Sequence, residues 1–124
     1  MAEILLVDDM DAVRRAIGAV LKRAGHHVVT AVDGAEGLAL LARQRFDLAI
    51  IDMLMPKVSG TEVIAQMNGM PNRPVVIAIS GGDGEISANE ALRTARFKAD
   101  AILEKPFDKE LFLCTVEKLL TLPT

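Results

Sequence analysis

The sequence predicts an α/β fold in which a parallel sheet lies between two layers of helices. Five short, nearly continuous apolar runs alternate along the chain with segments whose apolar residues recur at helical spacing. The runs do not alternate with polar residues, which is typical of strands buried on both faces, as in parallel sheets. Joining such strands through helices gives a three-layer, doubly wound arrangement.

Each predicted element follows from its own pattern. The strands are the apolar runs Ile4–Val7, Val28–Val32, Leu48–Ile51, Val75–Ile79 and Ala101–Leu103. The helices carry apolar stripes within Val13–Leu21, Ala35–Ala42, Thr61–Met67, Ile86–Phe97 and Leu111–Leu120. Gly25 is suited to close the first helix, and Asp108 is suited to cap the fifth. In sheets of this kind, ligands and chemistry lie beyond the carboxyl ends of the strands.

The length and composition of the chain exclude several classes of protein. The 124 residues are 51% hydrophobic and 25% charged, with a formal net charge of −3. The length predicts one domain over residues 1–124 with no room for a second, and the high hydrophobic fraction excludes intrinsic disorder. No apolar run approaches the ~20 residues that span a bilayer, and the start lacks the basic region of a signal peptide, so we expect no membrane insertion and a cytoplasmic location.

The mildly acidic charge balance of the chain argues against nucleic acid as a partner. A single cysteine, Cys114, excludes an internal disulfide and a thiolate zinc site.

Acidic residues follow two of the predicted strands. Asp8 and Asp9 come after the first strand, and Asp52 comes after the third. If these strands are neighbours, the three carboxylates converge and need a cation or partial protonation to offset their repulsion. A set of carboxylate oxygens with an open side suits Mg²⁺, which keeps waters and often bridges to phosphate.

The fourth and fifth strands end in groups that can bind an anion. Ser80 is followed by Gly81, which together offer a hydroxyl and unobstructed backbone N–H groups. Lys105 follows the fifth strand and offers a compact positive charge. An acidic metal site, an ammonium, a hydroxyl and free amides together indicate phosphoryl transfer.

Four motifs, taken in order, resemble the receiver domain of bacterial two-component response regulators. They are Asp8-Asp9, Asp52-Met53-Leu54-Met55-Pro56 with Gly60, Ser80-Gly81, and Lys105-Pro106-Phe107. The resemblance covers essentially the whole chain, and it implies a stand-alone, chemotaxis-regulator-like receiver with no output domain. It implies a flavodoxin-like (βα)5 sheet with strand order 2-1-3-4-5.

The resemblance implies a role for each motif residue. Asp52 would be the phosphoacceptor, and Mg²⁺ would be held by Asp8, Asp9, Asp52 and the backbone carbonyl of Leu54. Lys105, Ser80 and Gly81 would bind the phosphoryl group. Such a protein assists its own phosphorylation and dephosphorylation, so no separate enzymatic turnover is expected.

The resemblance also implies partners. A sensor histidine kinase or a histidine phosphotransfer protein would supply the phosphoryl group, and a downstream protein would recognise the surface of the fourth helix, fifth strand and fifth helix. Ser80 and Ile102 occupy the switch positions, although the family usually has an aromatic residue where Ile102 stands. The expected oligomeric state is a monomer or weak dimer.

Two further interpretations follow from the sequence. The alternative function is a receiver-like adaptor that binds partners without being phosphorylated, which the isoleucine at position 102 leaves open. The pair His26-His27 is interpreted as part of a solvated connecting loop, because it follows the glycine that ends the first helix.

Overall fold

The computed structural model describes residues 2–53, 60–80, 99–104 and 108–121, without the side chains of Thr61, Ser80 and Glu104. Its five strands are β1 (Glu3–Val7), β2 (His27–Ala31), β3 (Leu48–Asp52), β4 (Val75–Ser80) and β5 (Ala101–Glu104). Its helices are α1 (Asp11–Arg23), α2 (Gly34–Arg43), α3 (Gly60–Met67) and a C-terminal helix, Lys109–Leu120. The fourth predicted helix, over 86–97, lies outside the described residues. None of the described helices combines the length and apolar character needed to cross a bilayer.

The strands form one parallel sheet in the order β2-β1-β3-β4-β5, which confirms the predicted architecture. The boundaries differ by a residue at several ends. β3 and β4 include Asp52 and Ser80, and β5 extends to Glu104, because parallel pairing continues past the last apolar residue of each run. β2 begins one residue earlier than predicted and leaves Val32 exposed.

Alternate residues of the central strands enter two separate cores. On one face, Ile4 and Leu6 of β1 pack with α1 and the C-terminal helix. On the other face, Leu5 and Val7 pack with α2 and α3. Because successive side chains of a strand point to opposite faces, a sheet covered on both sides needs apolar residues at every position. This is the physical origin of the unbroken apolar runs.

A left-handed glycine ends α1 and directs the chain into β2. Gly25 has a φ of 96°, and its N–H donates to the carbonyl of Lys22 at 3.0 Å, while the N–H of His26 donates to the carbonyl of Leu21 at 3.1 Å. These two bonds satisfy carbonyls that the end of the helix would otherwise leave unpaired. The prediction of Gly25 as the closing residue is confirmed.

The interpretation of His26 as a solvated loop residue is wrong. Its side chain is 6% exposed, and its Nδ1 accepts a hydrogen bond from the Ala2 N–H at 3.1 Å. The proton of the neutral ring therefore lies on Nε2, which donates to Glu117 Oε1 of the C-terminal helix at 2.9 Å. His26 thus joins the start of the chain to its last helix. His27, by contrast, lies in β2 with its side chain 62% exposed beside Glu3.

These adjacent histidines permit a matched test of stability. We expect His26→Ala to lower the free energy of unfolding by about 1–3 kcal/mol, because it removes two hydrogen bonds and a buried ring. His27→Ala should change it by no more than about 0.5 kcal/mol, because an exposed pair contributes little. Urea unfolding of both variants measures the difference, and equal losses would contradict the structural role of His26.

Candidate functional site

Strand register brings Asp8 and Asp52 to the same edge of the sheet. β1 and β3 are parallel neighbours, and their paired residues include Val7 with Ile51. Asp8 and Asp52 directly follow this pair of residues along the chain, and the Asp8 N–H donates to the carbonyl of Ala31 in β2. Successive side chains of a strand point to opposite faces of the sheet, so Asp8 shares the face of Leu6, and Asp52 shares the face of Ile50. Both faces are the one that carries α1 and the C-terminal helix.

The three predicted acids converge. Carboxylate oxygens of Asp8, Asp9 and Asp52 all lie within 4.8 Å of one another. Asp8 is 1% exposed and Asp52 is 4% exposed, whereas Asp9 is open to solvent. Two carboxylates at this separation repel by about 3–4 kcal/mol at an effective dielectric constant near 20. A cation at this position would remove that repulsion.

The donor set fits Mg²⁺. All three side chains offer hard oxygen ligands, which this ion prefers to nitrogen or sulfur. The buried pair, Asp8 and Asp52, supplies charge from within the protein, and the exposed Asp9 leaves the outer side open to water or phosphate oxygens. Leu54, whose carbonyl was predicted as a fourth protein ligand, lies outside the described residues.

Hydrogen bonds hold the turn that carries Asp8 and Asp9. Asp8 Oδ1 accepts from the N–H of Met10 at 2.9 Å, and the Asp8 carbonyl accepts from Arg14 Nη1 at 2.7 Å. Arg14 Nη2 also donates to Asp11 Oδ1 at 3.0 Å, within the first turn of α1. Sequence reasoning did not single out Arg14. The sequence signal that could have indicated it is the spacing: Arg14 lies three residues, about one helical turn, after Asp11.

A glycine allows α3 to begin directly against the backbone of the phosphoacceptor candidate. A Cβ added to Gly60 would lie 2.3 Å from the carbonyl oxygen of Asp52 and 2.7 Å from the Cα of Met53. Real side-chain carbons do not approach backbone atoms this closely. The glycine of the predicted motif therefore has a steric explanation.

The remaining predicted residues divide into described and undescribed ones. Ser80 ends β4, where its backbone is paired with Glu104, so it reaches the same sheet edge as Asp52. Ile102 pairs with Ala78 and is partly buried against the core on the α2–α3 face. Gly81 and Lys105 lie outside the described residues.

Comparison with known proteins agrees with the motifs. Residues 4–117 match the family described as the response regulator receiver domain. The transcriptional regulatory protein AfsQ1 of Streptomyces coelicolor is 37% identical over 83 residues, covering 67% of this chain and 37% of AfsQ1. The response regulator MprA of Mycobacterium tuberculosis is 34% identical over 117 residues, covering 94% of this chain and 50% of MprA. The chain thus spans half or less of these relatives.

Solved structures give the same result. A receiver domain protein (CheY-like) from Methanospirillum hungatei superimposes with a TM-score of 0.88 at 26% identity, over 97% of this chain and 94% of that one. The likeness in fold therefore extends over nearly all of both chains. The chain belongs to the family of response regulator receiver domains.

Proposed function

We propose that Asp52 accepts a phosphoryl group in a Mg²⁺-dependent reaction, and that the phosphorylated chain changes its affinity for a downstream protein. The observation that carries the proposal is the convergence of Asp8, Asp9 and Asp52 within 4.8 Å at the carboxyl ends of two adjacent parallel strands. A cluster of acids would be unfavourable there without a cation. The donor would be a phosphohistidine of a sensor histidine kinase or of a histidine phosphotransfer protein, in keeping with the family.

Each residue of the cluster has a separate task. A carboxylate oxygen of Asp52 attacks phosphorus, the bond from phosphorus to the donor's imidazole nitrogen breaks, and its electron pair leaves with that nitrogen. The product is an acyl phosphate, which water later hydrolyses. Mg²⁺ held by the acids would neutralise their charge and the charge of the phosphoryl oxygens. Asp8 supports the site from its buried position, and Asp9 presents its carboxylate at the solvent side. The chain is a phosphoacceptor in this scheme and needs no separate turnover.

Apolar side chains near the cluster support a protein donor. Met10 is 54% exposed and directly follows Asp9, and Val32 is 45% exposed at the end of β2. Both lie at the sheet edge that carries the acids. A protein donor would find apolar side chains beside the acids, of the kind that protein interfaces commonly contain.

The change in partner binding would follow from the negative charge that phosphorylation adds. Phosphorylation adds about 1.5–2 negative charges at Asp52, so groups able to pair with phosphate, such as Ser80 and Lys105, would move toward it. The proposed output surface includes β5 and the C-terminal helix, on which Leu111 is 51% exposed. A partner can shift the equilibrium between the unphosphorylated and the phosphorylated conformation only by the difference in its affinity for the two.

Intact mass measurement tests the phosphoacceptor. We expect incubation with acetyl phosphate and Mg²⁺ to add about 80 Da, the mass of one phosphoryl group, to the wild-type chain. Asp52→Asn should gain nothing, because an amide is not a nucleophile for this step, and excess chelator should abolish the gain in the wild type.

The outcomes separate the two functions. A gain that persists in Asp52→Asn would move the modification elsewhere and contradict the assignment. A folded wild-type chain that gains no mass with any donor, including a phosphorylated histidine phosphotransfer protein, would favour the adaptor that binds partners without phosphorylation.

A further inference from the structure

The two arginines at the start of α1 are placed very differently, although they contact the same acid. Arg14 Nη2 and Arg15 Nη2 each lie 3.0 Å from a carboxylate oxygen of Asp11. The side chain of Arg15 is 82% exposed, whereas that of Arg14 is only 15% exposed. The difference arises because Arg14 turns toward the sheet and donates from Nη1 to the carbonyl oxygen of Asp8 at 2.7 Å. One planar guanidinium therefore joins α1 to the carbonyl of Asp8, one residue beyond the end of β1.

This contact restrains the segment that carries two of the three acids. The Asp8 carbonyl is held by Arg14, and the Asp8 carboxylate accepts from the N–H of Met10 at 2.9 Å. Asp9 lies between these two anchored residues, so its backbone has little freedom even though its side chain is exposed. The arginine bonds to a backbone oxygen and to Asp11, so the carboxylate of Asp9 is left available to a ligand.

We propose that Arg14 is a positioning residue for Mg²⁺ binding, which acts by fixing the Asp8-Asp9 turn and contacts neither the ion nor the phosphoryl group. This inference rests on the proposed function, because it requires the acid cluster to bind Mg²⁺. Holding the acids in place before binding lowers the conformational penalty of gathering them around an ion. Groups that orient metal ligands from outside the coordination sphere typically change affinity by about 10–100-fold.

Two effects of opposite sign make the experiment decisive. Removing a positive charge beside three acids should by itself strengthen Mg²⁺ binding, whereas removing the restraint should weaken it. Arg14→Lys keeps the charge but cannot reproduce the fork that donates to two acceptors from one plane. Arg14→Met removes both the charge and the fork. Arg15→Met removes the equivalent charge of an exposed side chain and leaves the turn intact.

Isothermal titration calorimetry with Mg²⁺ alone gives the first readout. We expect the dissociation constant to rise about tenfold in Arg14→Lys, to rise by a smaller factor in Arg14→Met because the lost charge offsets part of the effect, and to change less than about twofold in Arg15→Met. If Arg14→Met binds more tightly and Arg14→Lys binds as the wild type does, Arg14 acts only through charge and the inference is overturned. Unchanged affinities in both Arg14 variants overturn it equally.

Hydrogen exchange of the Met10 amide in metal-free protein gives a second readout that does not depend on the ion. We expect exchange to accelerate about tenfold in Arg14→Lys, with amides in the centre of β1 unchanged, because only the turn is released. Unchanged Met10 exchange overturns the inference, because the turn would then not depend on Arg14, and it leaves the proposed function standing. A wild-type chain that binds no Mg²⁺ overturns the proposed function, and with it this inference.

Discussion

Replacing Gly60 with alanine is expected to lower the free energy of unfolding by about 3 kcal/mol, the largest loss we expect from a single added methyl group. The new Cβ would lie 2.3 Å from the carbonyl oxygen of Asp52 and 2.7 Å from the Cα of Met53. Both are buried backbone atoms, one in the last residue of β3 and one in the residue that follows it, so the clash cannot be relieved by rotating a side chain. Relief requires α3 to move away from β3, which would open the core around Val63, Ile64 and Met67.

Gly18 supplies the matched control. It lies buried in the middle of α1, and a Cβ added there would meet nothing within 4 Å. Gly18→Ala should therefore raise the free energy of unfolding by about 0.5–1 kcal/mol, because alanine is the better helix former. Urea unfolding of both variants should give changes of opposite sign. A Gly60→Ala chain as stable as the wild type would mean that α3 does not begin against Asp52.

Replacing Asp52 with asparagine is expected to raise stability in the absence of divalent cations, by about 1–3 kcal/mol. Asp8 and Asp52 are both almost completely buried, with carboxylate oxygens no more than 4.8 Å apart. Asparagine keeps the shape of the side chain and removes one of the two charges. The gain should be smaller than the full Coulomb repulsion, because Asp8 and Asp52 each make further interactions that already offset part of it.

Magnesium should reverse the order of the two proteins. An ion that binds only the folded state stabilises it in proportion to the logarithm of its concentration, so the wild type should gain stability on addition of Mg²⁺ and Asp52→Asn should gain less. Asp108→Asn, at the exposed N-cap of the C-terminal helix, is a suitable control, since asparagine caps as well as aspartate. A metal-free Asp52→Asn chain that is less stable than the wild type would contradict this account.

Much of the fold was predictable because its signals are local. A strand buried on both faces must be apolar along its length, and the runs from Ile4 and from Leu48 meet that requirement without reference to any other part of the chain. The acids of the site were predictable for a related reason. They follow such runs directly, and parallel strands place their carboxyl ends together.

The features that were missed depend on contacts between distant parts of the chain. The burial of His26 requires Glu117, which is 91 positions away and belongs to the last helix. The role of Arg14 requires its side chain to turn toward the backbone carbonyl of Asp8, just beyond β1, which no periodicity encodes. Gly60 could be assigned to a motif, but its steric reason appears only once α3 is packed on the end of β3.

The alternation of side chains along β1 and β3 limits how the length of these strands can change. Asp8 and Asp52 share one face of the sheet because each lies an even number of residues after strand positions that face α1, such as Ile4 and Leu48. Deleting one residue from either strand would turn its carboxylate into the opposite, α2–α3 core. Deleting two would restore the face but withdraw the acid by ~7 Å along the strand. Neither change can be repaired by choosing a different side chain, so the number of residues in these strands is as much a part of the site as the aspartates themselves.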